Sequence, residues 1–292
     1  MSGKFVYTAE IEAGKTTNLE KIVEKGRILK NYVTAINVTD NPGACAHMNP
    51  LIPSYIIQRD VGVESVYQIT CRDRNRLAII SDLLAAAALG IKNVLVITGD
   101  HVIFGDNPGA KPVFDLDSAT LVYLIRKMVD EGVDLAGNKI EGEVRFHVGI
   151  AANPNAVPLE LEILKIARKV KLGIDFIQTQ CVFDIDLAKE FLKEVRKFNI
   201  PVLIGICPLR SIGMMKWYIK ECPGGIRIPL DIQERLKIAK ERKGKKAVLE
   251  ESIEISAELI KELRKTTSAS GVHIMAIGFE HVIPEIVKRS AQ

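Results

Sequence analysis

The chain predicts a (β/α)8 barrel, and three observations carry that reading. Eight short apolar runs rich in Val and Ile recur along its 292 residues. Most are near-continuously apolar rather than alternating, as parallel strands covered on both sides require. Stretches of helical period separate them, and the length suits the roughly 250 residues of such a barrel. A doubly wound open sheet is the alternative, because periodicity does not show closure.

The strands are predicted at residues 5–11, 33–39, 65–71, 94–98, 145–152, 176–180, 202–207 and 272–278. The first helix predicted, residues 74–89, carries Leu77, Ile80, Leu83, Leu84 and Ala87 as a stripe, with Gly90 as its stop. A second, residues 118–131, starts with Ser118 at the N-cap and ends before Gly132. Further helices are expected at 158–171, before Gly173, at 185–197, before Asn199 and Pro201, and at 252–265. Residues 101–117, broken by Gly and Pro, read as a long loop that follows Asp100 and lies over a site. Residues 209–270 are too long for one crossover. They read as two or three helices outside the barrel, with Pro223-Gly224-Gly225 as a turn and Lys243-Gly244-Lys245 as a loop. No low-complexity linker divides the chain, so one domain over 1–292 is expected.

Composition narrows the function classes. The net charge is only +4, and the basic cluster from Lys237 to Lys246 has no interleaved aromatics to stack on bases. That run reads as a solvated helix end with at most a modest attraction for a polyanionic tail or acidic partner, so no nucleic-acid partner is expected. The five cysteines (Cys45, Cys71, Cys181, Cys207 and Cys222) include no Cys-x-x-Cys pair. Cys71, Cys181 and Cys207 fall in or just after strand runs, where thiols act as small hydrophobes, which suits a reducing cytosol. No apolar signal region and no run of about 18 to 20 apolar residues is seen, so a cytoplasmic protein without a membrane span is expected.

Chemistry is sought at the carboxyl ends of the strands, where barrels of this kind build their sites. Glu10 and Glu12 share a face with Thr8 on the first strand, since side chains alternate. They are either solvated carboxylates at a strand end or a general acid in the barrel mouth, partly stripped of water. Asp100, after Gly99, either caps a turn or places negative charge beside a bound cofactor ring. Gln180 offers a neutral donor and acceptor at another strand end. Arg168 and Lys169 form a solvated helix face or a pair of phosphate-holding cations. The five histidines show no zinc spacing, so no metal is expected. Gly-x-Gly-x-x-Gly after a strand, a Walker sequence and Gly-x-Ser-x-Gly are all absent.

Taken in order, the segments resemble the methylenetetrahydrofolate reductase family over nearly the whole chain. Glu10 takes the place of the Glu in that family's Phe-Glu-Phe-Phe-Pro-Pro strand. Asn37-Val-Thr39 and Gln68-Ile-Thr-Cys71 are similar to its second and third strands. The run from Gly90 to Asp100 resembles Gly-Ile-x-Asn-Ile-Leu-Ala-Leu-Arg-Gly-Asp. Gly149-Ile-Ala-Ala-Asn-Pro154, Arg168-Lys-Val, Asp175 to Gln180 with Phe183-Asp184, Gly205-Ile-Cys-Pro208 and Arg227-Ile-Pro229 complete the series.

The resemblance implies a flavoprotein barrel that reduces 5,10-methylenetetrahydrofolate to 5-methyltetrahydrofolate in one-carbon metabolism and methionine biosynthesis. On matching positions it implies Glu10 as the general acid and Asp100 as the anion near flavin and pterin. Gln180 and Ile212 would contact substrate, with Ile212 where the family has a stacking Phe. Thr39, Gln68, Thr98, Gly99, Asp100, Ser118, Asn153, Arg168 and Lys169 would contact the flavin. Gln68 stands for a common His, Thr98 for Arg, Asn153 for Tyr and Val157 for His, which leaves FAD and FMN both open. Gly278-Phe-Glu-His281 replaces Thr-Leu-Asn-Arg, and the electron donor is either NAD(P)H or a partner electron-transfer subunit. An oligomer is expected. The alternatives are a non-catalytic or folate-binding barrel subunit of a larger complex and another pterin-dependent methyltransferase.

Overall fold

The computed structural model describes residues 4–222 and 225–292. Eight parallel strands close a barrel in sequence order: β1 (Val6–Ile11), β2 (Ala35–Val38), β3 (Glu64–Thr70), β4 (Asn93–Ile97), β5 (His147–Ala152), β6 (Phe176–Cys181), β7 (Val202–Ile206) and β8 (Gly271–Ile274). Pairing of β1 with β8, Thr8 opposite His273, makes the closure that distinguishes this fold from an open sheet. All eight apolar runs became strands, and no end moved by more than four residues. The largest retreat is in β8, where residues 275–278 leave the ladder.

Outside the strands pack α1 (Glu20–Leu29), α2 (Leu51–Ile56), α3 (Arg76–Ala88), α4 (Ser118–Arg126), α5 (Leu159–Leu172), α6 (Ile185–Val195), α7 (Ile212–Lys220), α8 (Leu230–Thr266) and α9 (Ile283–Ala291). The main core lies between strands and helices and includes Ile36, Tyr67, Ile69, Val94, Ile150, Ile204 and Val272, all essentially sealed from water. Burial on that scale, at about 25 cal/mol per Å² of apolar surface, is what drives the layers together.

Three local expectations are corrected. The buried face of α3 is Ile79, Leu83 and Ala86, while Leu77 is 72% exposed, so the stripe is rotated from the predicted one. Asn75 caps that helix, accepting from Ala78 N at 3.1 Å. Ser118 is not an N-cap: the carboxylate of Asp117 accepts from Thr120 N at 2.7 Å, and Ser118 is the first helical residue. A carboxylate does this better than a hydroxyl because the helix end carries partial positive charge. Cys181 and Cys207, read as separate buried thiols, form a disulfide. Neighbouring strands β6 and β7 bring the two Cα atoms to 5.6 Å across 26 residues, a proximity that linear spacing cannot reveal.

The long connection between β7 and β8 behaves as predicted at Lys243-Gly244-Lys245. The α8 span is helical throughout in hydrogen bonding, yet Gly244 has φ +70° and the chain reverses there. Arg235 Nε donates to Glu251 Oε1 at 2.7 Å and Nη1 donates to Glu258 Oε2 at 2.6 Å. Sixteen residues of straight helix would separate the first pair by about 24 Å. Only a fold-back brings them together, and glycine adopts the left-handed backbone at that point without steric cost. Pro223 and Gly224, expected in a turn, lie outside the described residues.

Candidate active site

Inward positions of the strands separate into two zones. Near the amino ends Ala35, Val66 and Leu95 make a small apolar cluster, with Phe176 and Ile97 against it. A Cβ on Gly149 would lie 2.2 Å from the Phe176 ring, so a glycine makes room for that plug. Above it, toward the carboxyl ends, the inward residues turn polar. Asn37 Nδ2 donates to Gln178 Oε1 at 2.7 Å, and Gln178 Nε2 donates to Thr8 Oγ1 at 3.3 Å. Thr8 Oγ1 lies 2.9 Å from His273 Nδ1, and His273 Nε2 lies 3.5 Å from Glu10 Oε2. Gln68 Nε2 donates to the same Glu10 oxygen at 2.9 Å.

Glu10 is therefore a carboxylate only 8% exposed, reached by the Gln68 amide from β3 and faced by the His273 ring from β8. Glu12 lies just past the end of β1. Burial first, and the nearby Glu10 charge second, push its carboxyl up to about 7, against a lowering pull from Lys25. Lys25 donates to the Glu12 carbonyl at 3.2 Å and to Glu280 Oε1 at 2.7 Å, so α1 braces this corner of the mouth. Tyr218 of α7 packs close enough to feel Glu10 and Glu12, and its hydroxyl, chiefly through burial, is pushed well above its usual range.

Across the mouth, Asp100 follows β4 and is exposed. Gly99, at φ +92°, turns the chain there; a Cβ would crowd Thr70 and Arg72 at 3.1–3.4 Å. The Asp100 carbonyl accepts from Arg72 Nη1 at 3.3 Å. Arg72 is 2% exposed, bonds the Asn41 carbonyl at 3.1 Å and holds Asp73 through Nε and Nη2. Beside it, Arg74 grips both Asp40 oxygens, at 2.6 and 2.9 Å, while Asp40 Oδ2 accepts from Thr70 N and Oγ1. These buried charged hydrogen bonds fix the ends of β2 and β3.

The remaining expected residues scatter around the same rim. Thr39, just after β2, is buried, and its Oγ1 has no partner among the described residues. Lys169 on α5 is half-buried, and burial pulls its ammonium below the usual range, opposed by Glu162 and Asp117. Its neighbour Arg168 is exposed, 3.7 Å from Asp117. Ser118 is buried at the start of α4, and Thr98 is exposed. Asn153 Oδ1 accepts from Asn155 N at 2.9 Å, and Gln180 Oε1 accepts from Cys181 N at 3.0 Å. Ile212 opens α7 and packs against a second cluster that contains Phe183, Met215 and Tyr218. The loop after Asp100 is pinned beside the mouth: Asp106 pairs with Lys15 and accepts from Ala46 N at 3.0 Å.

Sequence reasoning passed over His273, Asn37, Gln178, Arg72, Arg74 and Asp40. A period-2 signal was present for three of them, since Asn37, Gln178 and His273 are polar residues on the inward phase of apolar strands. It also passed over a cleft of about 570 Å³ lined by Lys15, Thr16, Thr17, Ala46, His47 and Met48. There His47 Nδ1 is buried without a partner among the described residues, and burial lowers the ring below its usual range. Among the described residues no group of three or more His, Cys, Asp or Glu is placed to hold a metal, and no helix is long and apolar enough to cross a membrane.

A closed parallel barrel with buried and exposed carboxylates converging at the carboxyl ends of its strands defines the (β/α)8 enzyme class. Residues 1–291 match the family model described as methylenetetrahydrofolate reductase, and the chain belongs to that family. It is 25% identical over 302 residues to methylenetetrahydrofolate reductase 1 of Schizosaccharomyces pombe, covering 98% of this chain and 46% of that protein. It is also 25% identical over 285 residues to a probable methylenetetrahydrofolate reductase (NADH) of Oryza sativa subsp. japonica, covering 95% of this chain and 47% of the other. The chain thus spans about half the length of these curated relatives. Among solved structures, the EDTA monooxygenase EmoA from Chelativorans sp. BNC1 shares the fold, with a TM-score of 0.57 at 10% identity over 99% of this chain and 95% of that one.

Proposed function

We propose that the chain, acting as one domain, reduces 5,10-methylenetetrahydrofolate to 5-methyltetrahydrofolate with a bound flavin. The observation that carries this reading is Glu10, a buried carboxylate at the acid position that the family resemblance implies, contacted from two sides by Gln68 and His273. Such a group can hand a proton to the substrate's ring nitrogen, breaking the carbon–nitrogen bond and leaving an iminium carbon ready for hydride. Gln180, whose Oε1 is engaged by Cys181 N, keeps its NH2 group for a pterin acceptor. Asp100, exposed and anchored through its carbonyl, places negative charge where positive charge develops on the folate.

Residues on the rim suit a flavin. Thr39 Oγ1 is a buried hydroxyl without a partner, and Lys169 is a desolvated cation near the amino end of α4. Both are groups that a polar, phosphate-bearing cofactor would satisfy. When bound, the flavin supplies the hydride. The donor that recharges it, NAD(P)H or a partner subunit, and the choice of FAD or FMN are read from one experiment. Purified protein should be yellow, bleach with NADH, NADPH or reduced ferredoxin, and recolour on addition of methylenetetrahydrofolate; mass spectrometry then names the cofactor. A colourless protein that binds tetrahydrofolate would point instead to a methyltransferase. A protein that neither carries flavin nor reduces a dye with methyltetrahydrofolate would be a non-catalytic subunit.

A further inference from the structure

His273 is a buried ring hydrogen-bonded through Nδ1 and facing Glu10 through Nε2, and the mechanism above uses it only as a support. Its Nδ1 lies 2.9 Å from Thr8 Oγ1 and its Nε2 lies 3.5 Å from Glu10 Oε2. The Thr8 hydroxyl also accepts from Gln178 Nε2 at 3.3 Å and lies 3.4 Å from the Val272 carbonyl oxygen. A hydroxyl has one proton to give and two lone pairs with which to accept. If Thr8 donates to Val272, it must accept from Nδ1–H, and Nε2 then turns a lone pair toward a carboxylate oxygen. That contact is attractive only with a proton on Glu10 or on the ring. If Thr8 donates to Nδ1 instead, the ring proton sits on Nε2 and points at Glu10. The second arrangement therefore puts one proton between Nε2 and Oε2, and the first is attractive only when a proton is added there.

We propose that His273 and Glu10 share one buried proton across this contact, so that His273 is the positioning residue that aims the Glu10 carboxyl. The role in turnover rests on the function proposed above; the shared proton does not. When Glu10 gives its proton to a substrate nitrogen, an O–H bond breaks, an N–H bond forms, and the carboxylate faces the ring until a solvent proton restores the pair. The other titratable groups around the pair are Glu12 beyond β1, Lys25 on α1 with its partner Glu280 after β8, and Tyr218 on α7. Gln68 and Gln178 bound it with neutral amides, which orient the pair without competing for the proton.

The test uses protein labelled with 15N-histidine, its His273 signals identified through His273→Gln. Glu10→Gln should displace the Nε2 signal of His273 and change its response from about pH 5 to 9, while Glu64→Gln, at an exposed position on β3, should leave both as in the wild type. Nε2 signals that are the same in wild type and Glu10→Gln at every pH would overturn the proposal. In a second arm, His273→Gln should reduce its flavin at the wild-type rate but slow the folate step roughly tenfold or more and alter its pH profile. An unchanged pH profile would also overturn it, since a merely structural ring would not govern the proton. If the signals respond but no form turns over folate, the shared proton stands and the proposed function falls.

Discussion

The two ends of the barrel interior differ in what they ask of a side chain. At the amino end Ala35, Val66, Leu95 and Phe176 fill space, and the fit is tight enough that Gly149 cannot carry a Cβ. At the carboxyl end Thr8, Glu10, Asn37, Gln68, Gln178 and His273 form a hydrogen-bonded chain across five strands. One zone is judged by volume and the other by the bookkeeping of donors and acceptors. A polar chain in a closed barrel is costly unless every member is satisfied, and its presence marks the end at which stability has been traded for chemistry.

That contrast can be broken by substitution, and the largest effect belongs to the polar end. Glu10→Gln keeps the shape and the Gln68 contact but removes the acid. We expect the folate step to fall by about 10²–10⁴, with flavin reduction retained and the melting temperature within a few degrees of wild type. Turnover at the wild-type rate would strip Glu10 of its role. Leu95→Ala at the apolar end should act the other way, costing about 2–5 kcal/mol through the cavity it leaves. The melting temperature should then drop by several degrees, while the rate per folded molecule changes little. A variant as stable as the wild type would mean that the lower zone is not close-packed.

Glu12, just past the polar end of the barrel, gives the smallest and most conditional effect. Its carboxyl is raised from 4.5 to about 7 in the folded chain, so the folded state holds the proton longer than the unfolded one. Stability from this group is complete below about pH 4.5 and is lost as the pH rises through about 7. A shift of that size sets an upper bound of roughly 3 kcal/mol, and partial access of water reduces it to about 1–2 kcal/mol. Glu12→Gln should accordingly be the more stable protein at pH 8, with the advantage shrinking toward pH 5. Urea unfolding at the two pH values measures the difference, and a constant offset would show that Glu12 titrates normally.

Much of this architecture was legible because strand burial leaves a mark on each strand separately. Continuous Val and Ile runs gave all eight strands, and Lys243-Gly244-Lys245 gave the reversal in α8. Helices α1, α2 and α9 were not marked out, since each spans only six to ten residues, while α7 and α8 fall in the stretch read as two or three helices outside the barrel. The carboxylates at strand ends were visible for a similar local reason. What stayed hidden depends on distance in the sequence: Arg74 meets Asp40 across 34 residues, His273 meets Thr8 across 265, and Cys181 meets Cys207 only because β6 and β7 are neighbours. Periodicity places each of these residues on the right face and says nothing of its partner.

Arg72 has a mechanical consequence for the mouth. One guanidinium, sealed from water at the end of β3, is bolted to the chain after β2 through Asn41 and to the chain after β4 through Asp100. Three consecutive strand ends thus move as a single block, a fixed jaw that carries Asp100. The opposite rim is tied differently: the Cys181–Cys207 disulfide joins the ends of β6 and β7, Asn155 after β5 donates to the Cys181 carbonyl at 2.9 Å, and Tyr218 and the arms of α8 pack there through apolar contacts. Asp100 is thereby held on the side of the mouth that buried charged hydrogen bonds fix in place.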